Sequence, residues 1–194
     1  MPIYSYSSFF SNLSTYGSLS ADVGILDATN NRDSNPFNIG FIGAIGVQYD
    51  INHEFNVRGE VELSMRRFGA SGESTRHPFI VNTKYDYKKT SLMFNVFTER
   101  NRGWILDPYL MAGVGISNFN ETAIRDRYTV WTNTHEIEEL RNSGSAFTWA
   151  IGTGMAFDII NSLRGDIGIR RIFIMDSGSP AAILSVSFGV RYTF

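Results

Sequence analysis

Three histidines, no cysteine and 19 acidic residues are this chain's raw material for nucleophilic, redox or metal chemistry. The lack of cysteine removes thiol catalysis, disulfide scaffolds and cysteine-ligated zinc together. His53, His77 and His135 lie far apart, so a helical HExxH zinc site is absent too. His53 sits in Asp-Ile-Asn-His-Glu with no serine nearby, and His77 in Arg-His-Pro. His135 and Glu136 are adjacent and have acid–base capacity in principle. Asp126, His135, Glu136, Glu138 and Glu139 crowd one segment, but at no spacing that marks a metal site. A solvated acidic stretch is the simpler reading. No catalytic residue, metal or cofactor is expected. With 17 Lys+Arg against 19 Asp+Glu the net charge is −2, which offers no basic face for nucleic acid.

The remaining charges say more, because of their spacing. From Phe55 to Phe68, the even positions carry Asn56, Arg58, Glu60, Glu62, Ser64 and Arg66. The odd positions carry Phe55, Val57, Gly59, Val61, Leu63 and Met65. A helix would mix these two sets every turn, whereas a strand puts them on opposite faces.

Seven other segments alternate in the same way, over residues 17–26, 39–49, 86–98, 107–119, 147–159, 163–174 and 182–194. The fourth strand, where Leu92, Phe94 and Val96 oppose Ser91, Met93 and Asn95, separates least well. Most of the eight run 11–13 residues, against about 5–6 for a soluble strand. The connections alternate between short, near 50–54, 99–104 and 160–162, and mostly longer, at 27–38, 69–85, 120–146 and 175–181. No stretch approaches the roughly 20 apolar residues of a membrane helix. Short turns at one end and long loops at the other predict an all-β, antiparallel, up-and-down eight-stranded transmembrane barrel over residues 16–194. Residues 1–15 follow neither period and are read as a lead-in.

Alternation alone leaves open a lipocalin-like soluble barrel with its apolar face inside. Three features favour apolar-out. Full charges stand mid-strand on the polar face, that face is rich in Gly, Ala and Ser as a narrow lumen requires, and aromatics collect at strand ends. The aromatic bands are Tyr49, Phe55, Trp104 and Tyr192 at the short turns. Phe37, Phe68, Tyr85, Tyr87, Phe119 and Phe147 lie toward the long loops. The inward set then holds Arg58, Arg66, Arg164, Arg170 and Arg191 against Asp22, Glu60, Glu62, Asp158 and Asp166. Five against five suggests a paired network, such as Arg58 with Glu60, filling the lumen. A gated polar conduit is the alternative, although an eight-stranded barrel is only just wide enough for its own side chains.

The longest loop carries Arg125, Arg127, Tyr128 and Trp131, residue types that dominate protein–protein hot spots. Residues 128–131 either form a binding surface or extend the neighbouring strands, and the His-Glu-Ile-Glu-Glu-Leu-Arg stretch has the option of a helical turn or two. Arg76 and Lys84 in the segment 71–84 are candidates for lipopolysaccharide phosphates.

The C-terminal SVSFGVRYTF, with Phe188, Val190, Tyr192 and the final Phe194 on one face, resembles the signature read by the outer-membrane barrel assembly machinery. PYLMAGVG at 108–115 and WAIGTGMAF at 149–157 resemble stretches of the opacity/OmpX-like eight-stranded outer-membrane family. That resemblance implies a mature outer-membrane protein lacking its signal peptide, in contact with outer-membrane lipid and lipopolysaccharide. It also implies a role in adhesion, host or surface-protein interaction or envelope integrity. A small gated pore and a lipid-modifying enzyme are the alternatives. The His-x-Ser pairing of the barrel lipid A deacylases is absent from all three histidines.

Overall fold

The computed structural model describes residues 12–28, 37–52, 54–76, 79–100, 105–129, 134–175 and 181–194. Period-two patterning yields eight strands: β1 (Leu13–Ala28), β2 (Phe37–Asn52), β3 (Phe55–Arg76), β4 (Phe79–Arg100), β5 (Asp107–Thr129), β6 (Thr134–Ile160), β7 (Leu163–Met175) and β8 (Ala181–Thr193). Each pairs antiparallel with its sequence neighbour, and β1 pairs with β8 to close the barrel. Closure gives backbone groups in the wall a partner on both sides, the condition for a sheet to cross hydrocarbon. β1 takes in residues 13–15 of the lead-in, and Asn12 lends its carbonyl to the Asp50 amide at 3.0 Å.

The two faces are inverted relative to a soluble barrel. Leu19, Phe41, Ile45, Leu110 and Phe188 stand exposed on the outside. Asp22, Arg58, Glu62, Arg66 and Arg191 are buried inside. A sheath of bare Leu, Ile and Phe is stable only against lipid, so the sequence's mid-strand charges face a lumen.

Glycine makes room for the larger inward side chains. Tyr16 lies directly across from Gly46, and Tyr109 across from Gly154. A Cβ on Gly46 would meet the Tyr16 ring at 2.6 Å, and one on Gly154 the Tyr109 ring at 2.4 Å. In each pair the ring occupies the space a side chain would need. At one short turn Asn52 Oδ1 accepts from the amides of Glu54 and Phe55, at 2.8 and 2.9 Å, setting the entry to β3.

Two expectations are corrected here. The aromatic band toward the outer end is thinner than the sequence suggests. Phe37 and Phe147 face outward, but Phe68 is buried inside, where Tyr87 packs on it and Phe119 on Tyr87. Trp104 lies outside the described residues.

The expected loops 69–85 and 120–146 are largely strand. β3 and β4 pair as far as Arg76↔Phe79, β4 and β5 as far as Phe79↔Thr129, and β5 and β6 as far as Thr129↔Thr134. The helical option for residues 135–141 is overturned with them. Cross-strand pairing to β5 outweighs the modest helix propensity of Glu, Leu and Arg. By contrast β2 pairs with β3 only up to Asn38↔Phe68, and β7 with β6 only from Phe147↔Met175 downward. Among the described residues, four strands therefore continue past the rim as a sheet.

Candidate functional site

Inside the barrel the charges segregate into two clusters. Nearer the short turns, Glu99 is the hub and is fully buried. Arg58 reaches it at 3.2 Å and Arg191 at 3.4 Å, and Arg164 bridges Glu99 to Asp107. Asp166 stands 3.9 Å from both Arg58 and Arg191. The Arg58 guanidinium also lies over the Phe97 ring at 4.3 Å, so its flat faces are covered as well as its edges.

Nearer the outer end, Arg66 Nε donates to Asp22 at 2.8 Å and Arg170 to Glu62 at 2.7 Å. Asn95 links two neighbouring carboxylates of β3, donating to Glu62 at 2.8 Å and Glu60 at 3.3 Å, while the Tyr16 hydroxyl donates to Glu60 at 3.0 Å. Between the clusters lies a cavity of about 60 Å³, lined in part by Arg58, Glu60, Glu62, Tyr109, Asp166 and Arg170. Buried apolar side chains share the lumen with these charges: Phe68, Ile172, Ile174 and Ile183 toward the long loops, with Tyr87 and Phe119 packed alongside, and Phe97, Tyr109 and Met111 toward the short turns.

All ten residues expected in the lumen network lie on the inward face, with two corrections. Asp158 binds Arg164 at 2.7 Å but is 74% exposed, so it belongs to the mouth and not the interior. Arg58 pairs with Glu99 at 3.2 Å instead of Glu60, whose carboxylate accepts from the Tyr16 hydroxyl and Asn95. Sequence reasoning missed Lys89, Glu99 and Asp107, all buried. Glu99 and Asp107 flank the Arg-Asn-Arg-Gly-Trp stretch and read as turn residues. The inward face of β4 (Lys89, Ser91, Met93, Asn95, Phe97, Glu99) mixes polar with apolar, which hid its register. With them, among the described residues, the interior holds six cations, Arg58, Arg66, Lys89, Arg164, Arg170 and Arg191. Six anions oppose them: Asp22, Glu60, Glu62, Glu99, Asp107 and Asp166. The count still balances.

Beyond the rim the same strands carry a different surface. Ile124, Ile137 and Leu140 are exposed on the projecting sheet. Ion pairs there are open to solvent: Arg125 to Glu138 at 3.6 Å, and Arg141 to Glu139 at 2.9 Å. At the base of the sheet Arg67 donates twice to Asp86, at 3.0 and 2.7 Å, and that hydrogen bonding holds the Asp86 carboxyl below its ordinary range. Of the expected interaction residues, Arg125 lies on the inner face with Glu138. Arg127 is exposed, Tyr128 is half-buried, and Trp131 lies outside the described residues. His53 and His77 also fall outside them, and the His135 backbone is part of β6. Among the described residues no group of three or more His, Asp or Glu side chains is placed to hold a metal ion.

The family model for the outer membrane protein beta-barrel domain matches residues 8–194. No curated protein matches the chain. Among solved structures, Neisserial surface protein A is similar over 93% of this chain and 97% of its own, at 18% identity and a TM-score of 0.58. Ail, the attachment invasion locus protein of Yersinia pestis, is similar over 93% and 98%, at 13% identity and a TM-score of 0.51. The outer membrane enzyme PagL is similar over 89% and 97%, at 14% identity and a TM-score of 0.56. At these identities the likeness is one of fold.

Proposed function

This chain belongs to the outer-membrane β-barrel family, and from that premise we propose that it is a non-enzymatic surface protein. In this reading the projecting sheet of β3–β6 carries adhesion, or contact with a host or surface protein, while the barrel is its occluded mount. One observation carries it: the chain fills its lumen with balanced ion pairs and buried apolar side chains, yet extends four strands past the rim with apolar side chains uncovered. Unpaired charge would be expected along a conduit, and here the five inward arginines each lie within 4 Å of a carboxylate, while Lys89 Nζ is buried without a hydrogen-bond partner. Among the similar folds one is an attachment invasion locus protein and another an enzyme. The missing His-x-Ser pairing weighs against the enzymatic alternative. Lipopolysaccharide phosphates are suitable partners for Lys84, which is exposed; the Arg76 side chain lies outside the described residues. Phe188, Val190, Tyr192 and Phe194, all exposed along β8, suit recognition by the barrel assembly machinery.

The test is to shorten both hairpins within register, replacing residues 70–85 and 122–141 each by Asn-Gly, a two-residue turn. The shortened protein should still fold, read as a heat-dependent gel shift. Cells expressing it should lose the attachment to epithelial monolayers that the full chain confers. Undiminished attachment would overturn the proposal.

A further inference from the structure

The lipid-facing glycines of the wall differ in what covers them. A Cβ on Gly17, Gly59 or Gly165 would meet a phenylalanine ring of the chain itself, Phe194, Phe94 or Phe157 respectively. Gly43 has no ring over it, and its Cβ would meet a Leu19 methyl at 3.7 Å. It leaves a hollow in a cross-strand row, Leu19–Gly43–Leu63, with Phe41 above it and Ile45 below it on β2. Leu19, Phe41 and Ile45 are 69%, 70% and 71% exposed, so they stand up around the gap. Phe188 is the converse feature: an exposed ring flanked by Ala21 and Ile167, with no glycine directly across from it on either side. We propose that Phe188 of a second copy fills the Gly43 hollow, and reciprocally, so that two barrels pair side by side in one membrane.

The register shows that ring and hollow lie at matching heights. Following paired residues from Gly43 through β3, β4 and β5 reaches β6 at Phe147. The other route, through β1, β8 and β7, reaches β6 ten residues lower, at Phe157. At about 3.3 Å per residue and about 4.8 Å between strands, that offset tilts the strands by about 40°. Each strand crossed toward β1 then drops the level by about 3 Å, and two residues up a strand regain about 5 Å. Phe188 is two strands from Gly43, by way of Leu19 and Val190, and two residues up β8. It therefore stands within about 2 Å of the height of Gly43 and about 12 Å from it around the wall.

Two copies inserted the same way are related by a twofold axis along the membrane normal, which preserves height. An axis midway between Gly43 and Phe188 sets each ring opposite the other copy's hollow. It passes between Leu19 and Ala21 of β1, where the small, exposed Ala21 lets the walls approach. Lipid tails are as apolar as these side chains, so association rests on close packing and not on burial from water. A hollow walled on four sides is one side chain wide and suits a ring, whereas an acyl chain lies along an open-ended groove. The pair would carry both projecting sheets on the same side of the membrane, whatever those sheets bind.

The chain has no cysteine, so single cysteines report the face of contact. Ala21→Cys lies beside the axis, and Val114→Cys, equally outward, is on β5 at the opposite side of the barrel. Both are refolded into phosphatidylcholine vesicles and treated with a short bis-methanethiosulfonate linker. Ala21→Cys should give a dithiothreitol-sensitive dimer, and Val114→Cys should not. Adding Gly43→Phe to Ala21→Cys fills the hollow and should abolish the dimer, with the fold confirmed by the heat-dependent gel shift. Adding Phe188→Ala as well exchanges ring and hollow between the two positions and should restore it. No dimer from Ala21→Cys, an equal dimer from Val114→Cys, or an undiminished dimer with Gly43→Phe overturns the pairing and leaves a lipid acyl chain as the occupant of the hollow.

Discussion

Below the rim each strand has a neighbour on both sides, and the charged face is sealed in; above it, among the described residues, four of the same strands continue as a sheet whose ion pairs are open to water. The alternating code does not change at the boundary, but what it accomplishes does. In the wall, alternation sends apolar side chains to lipid and confines charge to a lumen where it must be matched. In the projecting sheet, the same period leaves Ile137 and Arg141 on one face of β6 and both exposed to water. The contrast explains why the barrel needs a balanced interior while the sheet is free to carry an unbalanced one.

The largest expected difference between the two regions is the weight of one carboxylate. Glu99→Gln strips the hub from three arginines and should lower stability by roughly 3–5 kcal/mol, read as a shifted urea midpoint in lipid-reconstituted protein. Glu138→Gln at the open Arg125 pair should cost less than about 1 kcal/mol. Equal losses would erase the distinction between a sealed and a wet network.

Side-chain space should divide the regions next. Gly154→Val forces a Cβ onto the Tyr109 ring and should cost about 1–3 kcal/mol. Gly69→Ala, at the foot of the projecting sheet with nothing within 4 Å of the added Cβ, should be nearly silent in the same unfolding measurement. A costly Gly69→Ala would mean that the sheet is packed against something there.

Most of the wall was legible in the sequence because burial against lipid enforces strict alternation, as in Phe55–Met65. β4 was less so, since its inward face mixes Met93 and Phe97 with Asn95 and Glu99. Both suit a lumen that holds buried apolar and aromatic side chains as well as salt bridges. The projecting sheet was least legible. Outside the membrane no medium penalises either face, so Glu136–Arg141 keeps no clean period, and pairing with β5 decides its conformation.

The smallest effect concerns pH at the boundary between the regions. Asp86 has its folded pKa depressed by the Arg67 hydrogen bonds, so the pair's contribution is complete above the ordinary aspartate pKa. It is lost as pH falls through the lower folded value. An NMR titration of the Asp86 carboxyl should show a midpoint that rises toward the ordinary value in Arg67→Gln. An unchanged midpoint would leave the ion pair without thermodynamic weight.

The most direct test of the division between mount and working surface is electrical. The purified full-length chain and the shortened-hairpin variant, each refolded into a planar bilayer at moderate salt, should both be silent, because the ion pairs and apolar side chains that occlude the lumen are common to them. Discrete, reproducible openings in either, weakened by substitutions at Glu99 or Arg170, would contradict the account and make the barrel itself the functional element.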